Sequence, residues 1–108
     1  MKKYFFLFCL ISGSLLAQDK VMTPELLWKL GRVSLDAVSP DGEKFIYGVT
    51  YYNLDSNKGN RDLYMMEVKG GEPNQLTDMD GGEYSAQFVG DKIGFAHDGQ
   101  FHLMDMDG

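Results

Sequence analysis

A chain of 108 residues with 44% hydrophobic and 24% charged residues, 13 glycines and 3 prolines has a globular composition, which excludes collagen-like and disordered classes. Its 16 acidic against 10 basic residues give a formal charge of −6 and argue against nucleic acid or an anionic membrane as partner. One cysteine, Cys9, excludes a disulfide framework.

The chain opens with Met1-Lys2-Lys3, an apolar run from Tyr4 to Ile11, the small residues Ser12-Gly13-Ser14, and Leu15-Leu16-Ala17 before Gln18. This is the pattern of a secretory signal peptide over residues 1–17, cleaved after Ala17. A spanning helix needs about 20 apolar residues, more than this run supplies. Cys9 follows Phe8 in mid-run, where lipidation calls for a small residue, so no lipid anchor is expected. The expected mature chain has 91 residues (108 less 17) and no cysteine. It carries 8 basic residues (10 less 2) against 16 acidic ones. Export to the periplasm or the extracellular space follows, with no membrane attachment after cleavage.

Residues 18–32 form an N-terminal segment that holds one short helix over 24–30. Thr23 is placed to cap it, Pro24 suits the first helical position, Glu25 lies at the positive end of the dipole, and Gly31 fits the left-handed conformation of a helix terminator. Leu26, Leu27 and Leu30 are expected to share one buried face.

From Arg32 onward, short apolar stretches alternate with turn signals, the mark of consecutive antiparallel strands. Ser39-Pro40-Asp41-Gly42 joins a short strand around Asp36–Val38 to a longer one over Lys44–Tyr51. The polar run Tyr52–Arg61 is expected to be an extended hairpin tip, and Asn53–Asn60 within it is the loop best placed to touch something outside its own sheet. Gly90-Asp91 connects strands at Ala86–Val89 and Lys92–Ala96, and Asp98-Gly99 connects the latter to Gln100–Met106.

These hairpins repeat. Ala37-Val38-Ser39-Pro40-Asp41-Gly42-Glu43-Lys44-Phe45-Ile46-Tyr47 aligns with Ala86-Gln87-Phe88-Val89-Gly90-Asp91-Lys92-Ile93-Gly94-Phe95 when the second copy has a shorter turn. Asp62–Gly70 then aligns with Gln100–Gly108. A four-stranded unit recurring about every 40 to 50 residues has the period of a propeller blade. The expected fold is all-β: an incomplete β-propeller of about one and a half four-stranded antiparallel blades, behind the signal peptide and the short helix. Residues 33–78 make the first blade and 79–108 the second, incomplete one. Propellers use about four to eight blades, so the chain reads as part of a longer protein.

Ser39-Pro40-Asp41-Gly42 with Lys44-Phe45-Ile46-Tyr47, then Asp62-Leu63-Tyr64, then Gly70–Thr77, resembles the repeat shared by the translocation protein TolB and the propellers of the prolyl oligopeptidase family. The approach Thr23–Leu27, Leu30–Val33 and Asp36–Gly42 is similar to the start of secreted acylaminoacyl- and dipeptidyl-peptidase-like members of the latter. The resemblance implies a serine-type peptidase whose propeller restricts access to a C-terminal α/β-hydrolase domain acting on short peptides with a Ser-His-Asp triad. That domain would be the chain's partner and would carry all the catalytic residues, beyond Gly108. A TolB-like binding propeller without enzymatic activity is the alternative, and a small secreted interaction module the third reading.

No catalytic, cofactor-binding or metal residue is assigned within the chain. Ser34, Ser39, Ser56 and Ser85 all lack the flanking glycines of the G-x-S-x-G nucleophile elbow. His97 and His102 flank a turn but lack a third convergent ligand. Asp78-Met79-Asp80-Gly81-Gly82-Glu83 lacks the spacing of a calcium loop and reads as a solvated turn between blades. Tyr47, Tyr51, Tyr52 and Tyr64 could offer an aromatic platform; packing within the sheets is the expectation for Tyr47 and Tyr64.

Overall fold

A computed structural model describes residues 21–108, so the signal-peptide reading of residues 1–17 lies outside the described residues. One short helix, α1 (Pro24–Lys29), precedes seven strands: β1 (Arg32–Val38), β2 (Lys44–Asn53), β3 (Lys58–Glu67), β4 (Asn74–Gln75), β5 (Glu83–Val89), β6 (Lys92–His97) and β7 (Gln100–Asp105). They form two antiparallel meanders, one of order β1-β2-β3-β4 and one of order β5-β6-β7. The all-β expectation holds.

The turns explain the meanders. Gly42 takes φ 73° and donates its amide to Ser39 O at 2.9 Å. The Ser39 hydroxyl donates to Asp41 and accepts the Lys44 amide at 2.9 Å, and the Glu43 amide donates to Asp41 at 3.0 Å. These bonds hold the Asp41 carboxyl below its usual range, the Ser39 hydroxyl first among them. Gly90 at φ 62° and the pair Asp98 and Gly99 at φ 49° and 72° close the two-residue hairpins of the second sheet, the left-handed signs that tight hairpins require. The polar run after Tyr51 is a hairpin extension, paired in register from Lys44↔Glu67 out to Asn53↔Lys58.

Alternation supplies the core. Ile46 on β2, Leu63 and Met65 on β3, and Leu76 just beyond β4 face Ala86, Ile93 and Phe95 of the second sheet. Met79, Phe88, Met104 and Met106 pack around them. Each fully buried aliphatic side chain contributes on the order of 1.5–3 kcal/mol. The two stretches that align in sequence also share an irregularity. β1 is bulged between Leu35 and Ala37 and β5 between Tyr84 and Gln87, which brackets the aligned positions Asp36 and Ser85.

Three local expectations need correction. The strands β1 and β5 start earlier than the turns suggested, at Arg32 and Glu83, because β1 pairs with the far half of β2 and β5 with the end of β6. The helix ends at Lys29; Leu30 leaves it in an extended conformation (φ −72°, ψ 133°) and Gly31 is not left-handed. Gly31 instead lies against the Tyr51 ring, which a Cβ there would meet at 2.8 Å. Finally, Leu26, Leu27 and Leu30 are exposed rather than buried. The helix is held instead by Trp28, edge-on to Tyr52 at 5.7 Å, with the Arg32 guanidinium over both rings at 5.1 and 4.6 Å. Thr23 caps it as expected, accepting the Leu26 amide at 3.1 Å.

Candidate functional site

The densest polar chemistry among the described residues lies in the joint between the two sheets. Arg61 points inward from β3, 4% exposed, on the same face as Leu63 and Met65. It crosses over Gly48, its near neighbour on β2, where a Cβ would stand 2.0 Å from the guanidinium carbon. The bulge in β1 turns Asp36 toward it, and the two pair through both guanidinium nitrogens, Nη2 to Oδ1 at 2.5 Å and Nη1 to Oδ2 at 3.3 Å.

This pair ties the sheets together. Arg61 Nη1 donates to Glu83 O at 2.6 Å, and Nη2 to Ser34 Oγ at 2.7 Å. Asp36 Oδ2 accepts the Ala86 amide at 2.9 Å. The Tyr84 ring covers the guanidinium at 5.3 Å. From the other side, the Arg61 amide donates to Gly81 O and Asn60 Oδ1 accepts the Gly81 amide, both at 2.9 Å. The segment Asp78–Glu83 is thus clamped to β3, with a left-handed Gly81 (φ 100°), and serves as the crossing between sheets.

Beside the ion pair sits a wholly buried carboxyl, Glu83. Its Oε2 accepts from Thr77 Oγ1 at 2.7 Å, and Thr77 Oγ1 itself accepts the Leu63 amide at 2.9 Å. His97 Nδ1 lies 3.2 Å from Glu83 Oε1 and 3.2 Å from the Gly82 carbonyl. Burial pushes the Glu83 carboxyl above its ordinary range, and Asp62 is raised by the same cause.

The residues weighed from the sequence fall into different places. The His97 and His102 rings do approach, edge to face at 5.9 Å, but His97 is turned to Glu83 and Gly82 while His102 stacks on Phe95 at 5.4 Å. Among the described residues no three His, Cys, Asp or Glu side chains converge as a metal would require. Tyr47 and Tyr64 stack as a cross-strand pair at 5.6 Å, with Phe45 beside Tyr47. Tyr51 and Tyr52 go elsewhere and line a groove of 650 Å³ between the β2–β3 hairpin and Asp80-Gly81. Ser34 and Ser39 use their hydroxyls on Arg61 and the turn, Ser56 lies in the hairpin loop, and Ser85 occupies the β5 bulge at φ 56°. Sequence reasoning missed Arg61, Asp36, Thr77 and Glu83. The one signal for them was Gly48, a glycine in mid-strand, which marks a close approach by another group.

Comparison with known proteins finds two relatives. The chain is 37% identical over 70 residues to Dipeptidyl-peptidase 5 of Porphyromonas gingivalis, covering 65% of this chain and 10% of that protein. It is 31% identical over 62 residues to Dipeptidyl-peptidase 5 of Porphyromonas endodontalis, covering 57% of this chain and 9% of that one. The matches link the chain to a peptidase family, and the chain spans about a tenth of the length of these curated relatives. No family model matches it. No solved structure matches either.

Proposed function

We propose that this chain is the N-terminal part of the access-restricting β-propeller of an exported serine peptidase, one that cleaves short peptides in a C-terminal α/β-hydrolase domain. The observation that carries the reading is the identity to the two Dipeptidyl-peptidase 5 sequences. Two consecutive antiparallel meanders, packed face to face and bulged at aligned positions, agree with successive blades. In this reading the Asp36–Arg61 pair fastens the first blade to the second, and the peptide chemistry resides outside the described residues.

Translation of the coding sequence past Gly108 tests the proposal. Further four-stranded repeats followed by G-x-S-x-G, then Asp, then His, are expected. Repeats that finish without an elbow would replace the peptidase with a TolB-like binding propeller, and a continuation without repeats would remove both. At the protein level, the full-length product is expected to release dipeptides from a short peptide, and replacing its elbow serine by alanine to abolish release. The mature product is expected to begin at Gln18 by N-terminal sequencing of exported material.

A further inference from the structure

The joint between the sheets holds more carboxylate than cation. Arg61 directs its guanidinium to Asp36, to Ser34 and to the Glu83 backbone carbonyl, so it gives the Glu83 carboxyl no hydrogen bond. Thr77 serves Glu83 Oε2; Oε1 has no hydrogen-bond partner. Asp62 is in the same condition: its Oδ2 accepts from Asn60 at 3.1 Å while its buried Oδ1 has no partner. His97 is near enough to Glu83 Oε1, but its hydrogen bond is aimed at the Gly82 carbonyl.

The charged and titratable groups facing Glu83 come from every neighbouring element. They are Asp36 of β1, matched by Arg61 of β3; Asp62, also of β3; Asp78 of the crossing, facing Asp62; and His97 of β6. Two buried carboxylate oxygens with no donor and no cation between them cannot both stay ionised cheaply. One proton resolves both vacant positions.

We propose that Glu83 and Asp62 share a single proton, donated by Glu83 Oε1 to Asp62 Oδ1, and that this proton keeps the joint between the two sheets closed. The backbone sets the two residues side by side, each following one member of the parallel bridge between Arg61 and Gly82, and burial raises both carboxyls. The inference does not depend on the peptidase reading, because it concerns only groups within the described sheets.

The sign follows from proton linkage. A carboxyl that holds its proton more tightly when folded lends stability that is complete below its ordinary value of 4.5, and that stability is lost as pH rises through the higher folded value. The test is denaturant unfolding of the full chain from about pH 5 to about pH 8. The wild type is expected to lose stability as pH rises, by up to tenfold in the unfolding equilibrium per pH unit over the linked range. Glu83→Gln, whose amide donates to Asp62 without a titrating proton, is expected to flatten that dependence, and His97→Gln to leave it in place. A slope that survives in Glu83→Gln, or that vanishes in His97→Gln alone, overturns the proposal. Should Glu83→Gln fail to fold, carbon NMR of the labelled wild-type carboxyls decides. Titration of Glu83 well above 4.5 supports the shared proton; titration at or below 4.5 refutes it.

Discussion

Gly48 and Arg61 are two halves of one structural decision. A strand glycine usually weakens its sheet, because it adds backbone entropy and packs nothing. Here the missing side chain is the floor on which the guanidinium lies, and any Cβ would displace it from Asp36. Asp36→Ala is therefore expected to cost about 3–5 kcal/mol in denaturant unfolding, because it strands a buried cation rather than merely removing a bond. Gly48→Ala is expected to cost about 1–3 kcal/mol in the native background. In an Arg61→Ala background the same change should cost close to nothing, since its obstacle is gone; equal costs in the two backgrounds would break the link between these positions. None of this was readable from Asn60-Arg61-Asp62, because charged residues are mostly exposed and a polar hairpin is the default context for them. Arg61 becomes interior only when the second sheet is laid over the first.

Where the chain's own local chemistry fixes an element, reading it forward worked. The loops Ser39–Gly42, Gly90-Asp91 and Asp98-Gly99 are built from residues whose backbone preferences select the turn, and the strands on either side follow. Replacing Gly99, held at φ 72°, by alanine is expected to cost about 1–2 kcal/mol, visible as a lower thermal midpoint, while alanine at the neighbouring exposed Gln100 should change it little. Where an element depends on a distant partner, the reading fell short. Arg32–Leu35 carries no turn signal in front of it and becomes strand only by pairing with Tyr47–Thr50. The leucines of the helix keep a helical spacing but stay about half exposed among the described residues, and Trp28 is the side chain that anchors it. Periodicity reports that a face exists and is silent on which neighbour meets it.

Two apolar surfaces remain on opposite sides of the paired sheets. The outer face of the first carries Val33, Leu35 and Val38, each more than half exposed, beside the Phe45–Tyr47–Tyr64 aromatic row. The outer face of the second carries Phe101 and Leu103, also more than half exposed, with Val89. Contiguous apolar area of this kind on both sides of a sheet pair is unusual for a protein that stands alone. A product of residues 18–108 made in isolation is expected to bind an apolar fluorescent dye and to self-associate, with Phe101→Ser plus Leu103→Ser lowering both. A dye-silent monomer would argue that these faces need no cover and would weaken the blade reading with it. The spacing of the joint's partners bears on how the chain comes together during synthesis. Asp36 meets Arg61 25 positions later and the Ala86 amide 50 positions later. A nascent polypeptide thus brings out the acid first, then its base, and only afterwards the amide that seals them from water, so neither charge waits in a dry interior for its counterpart.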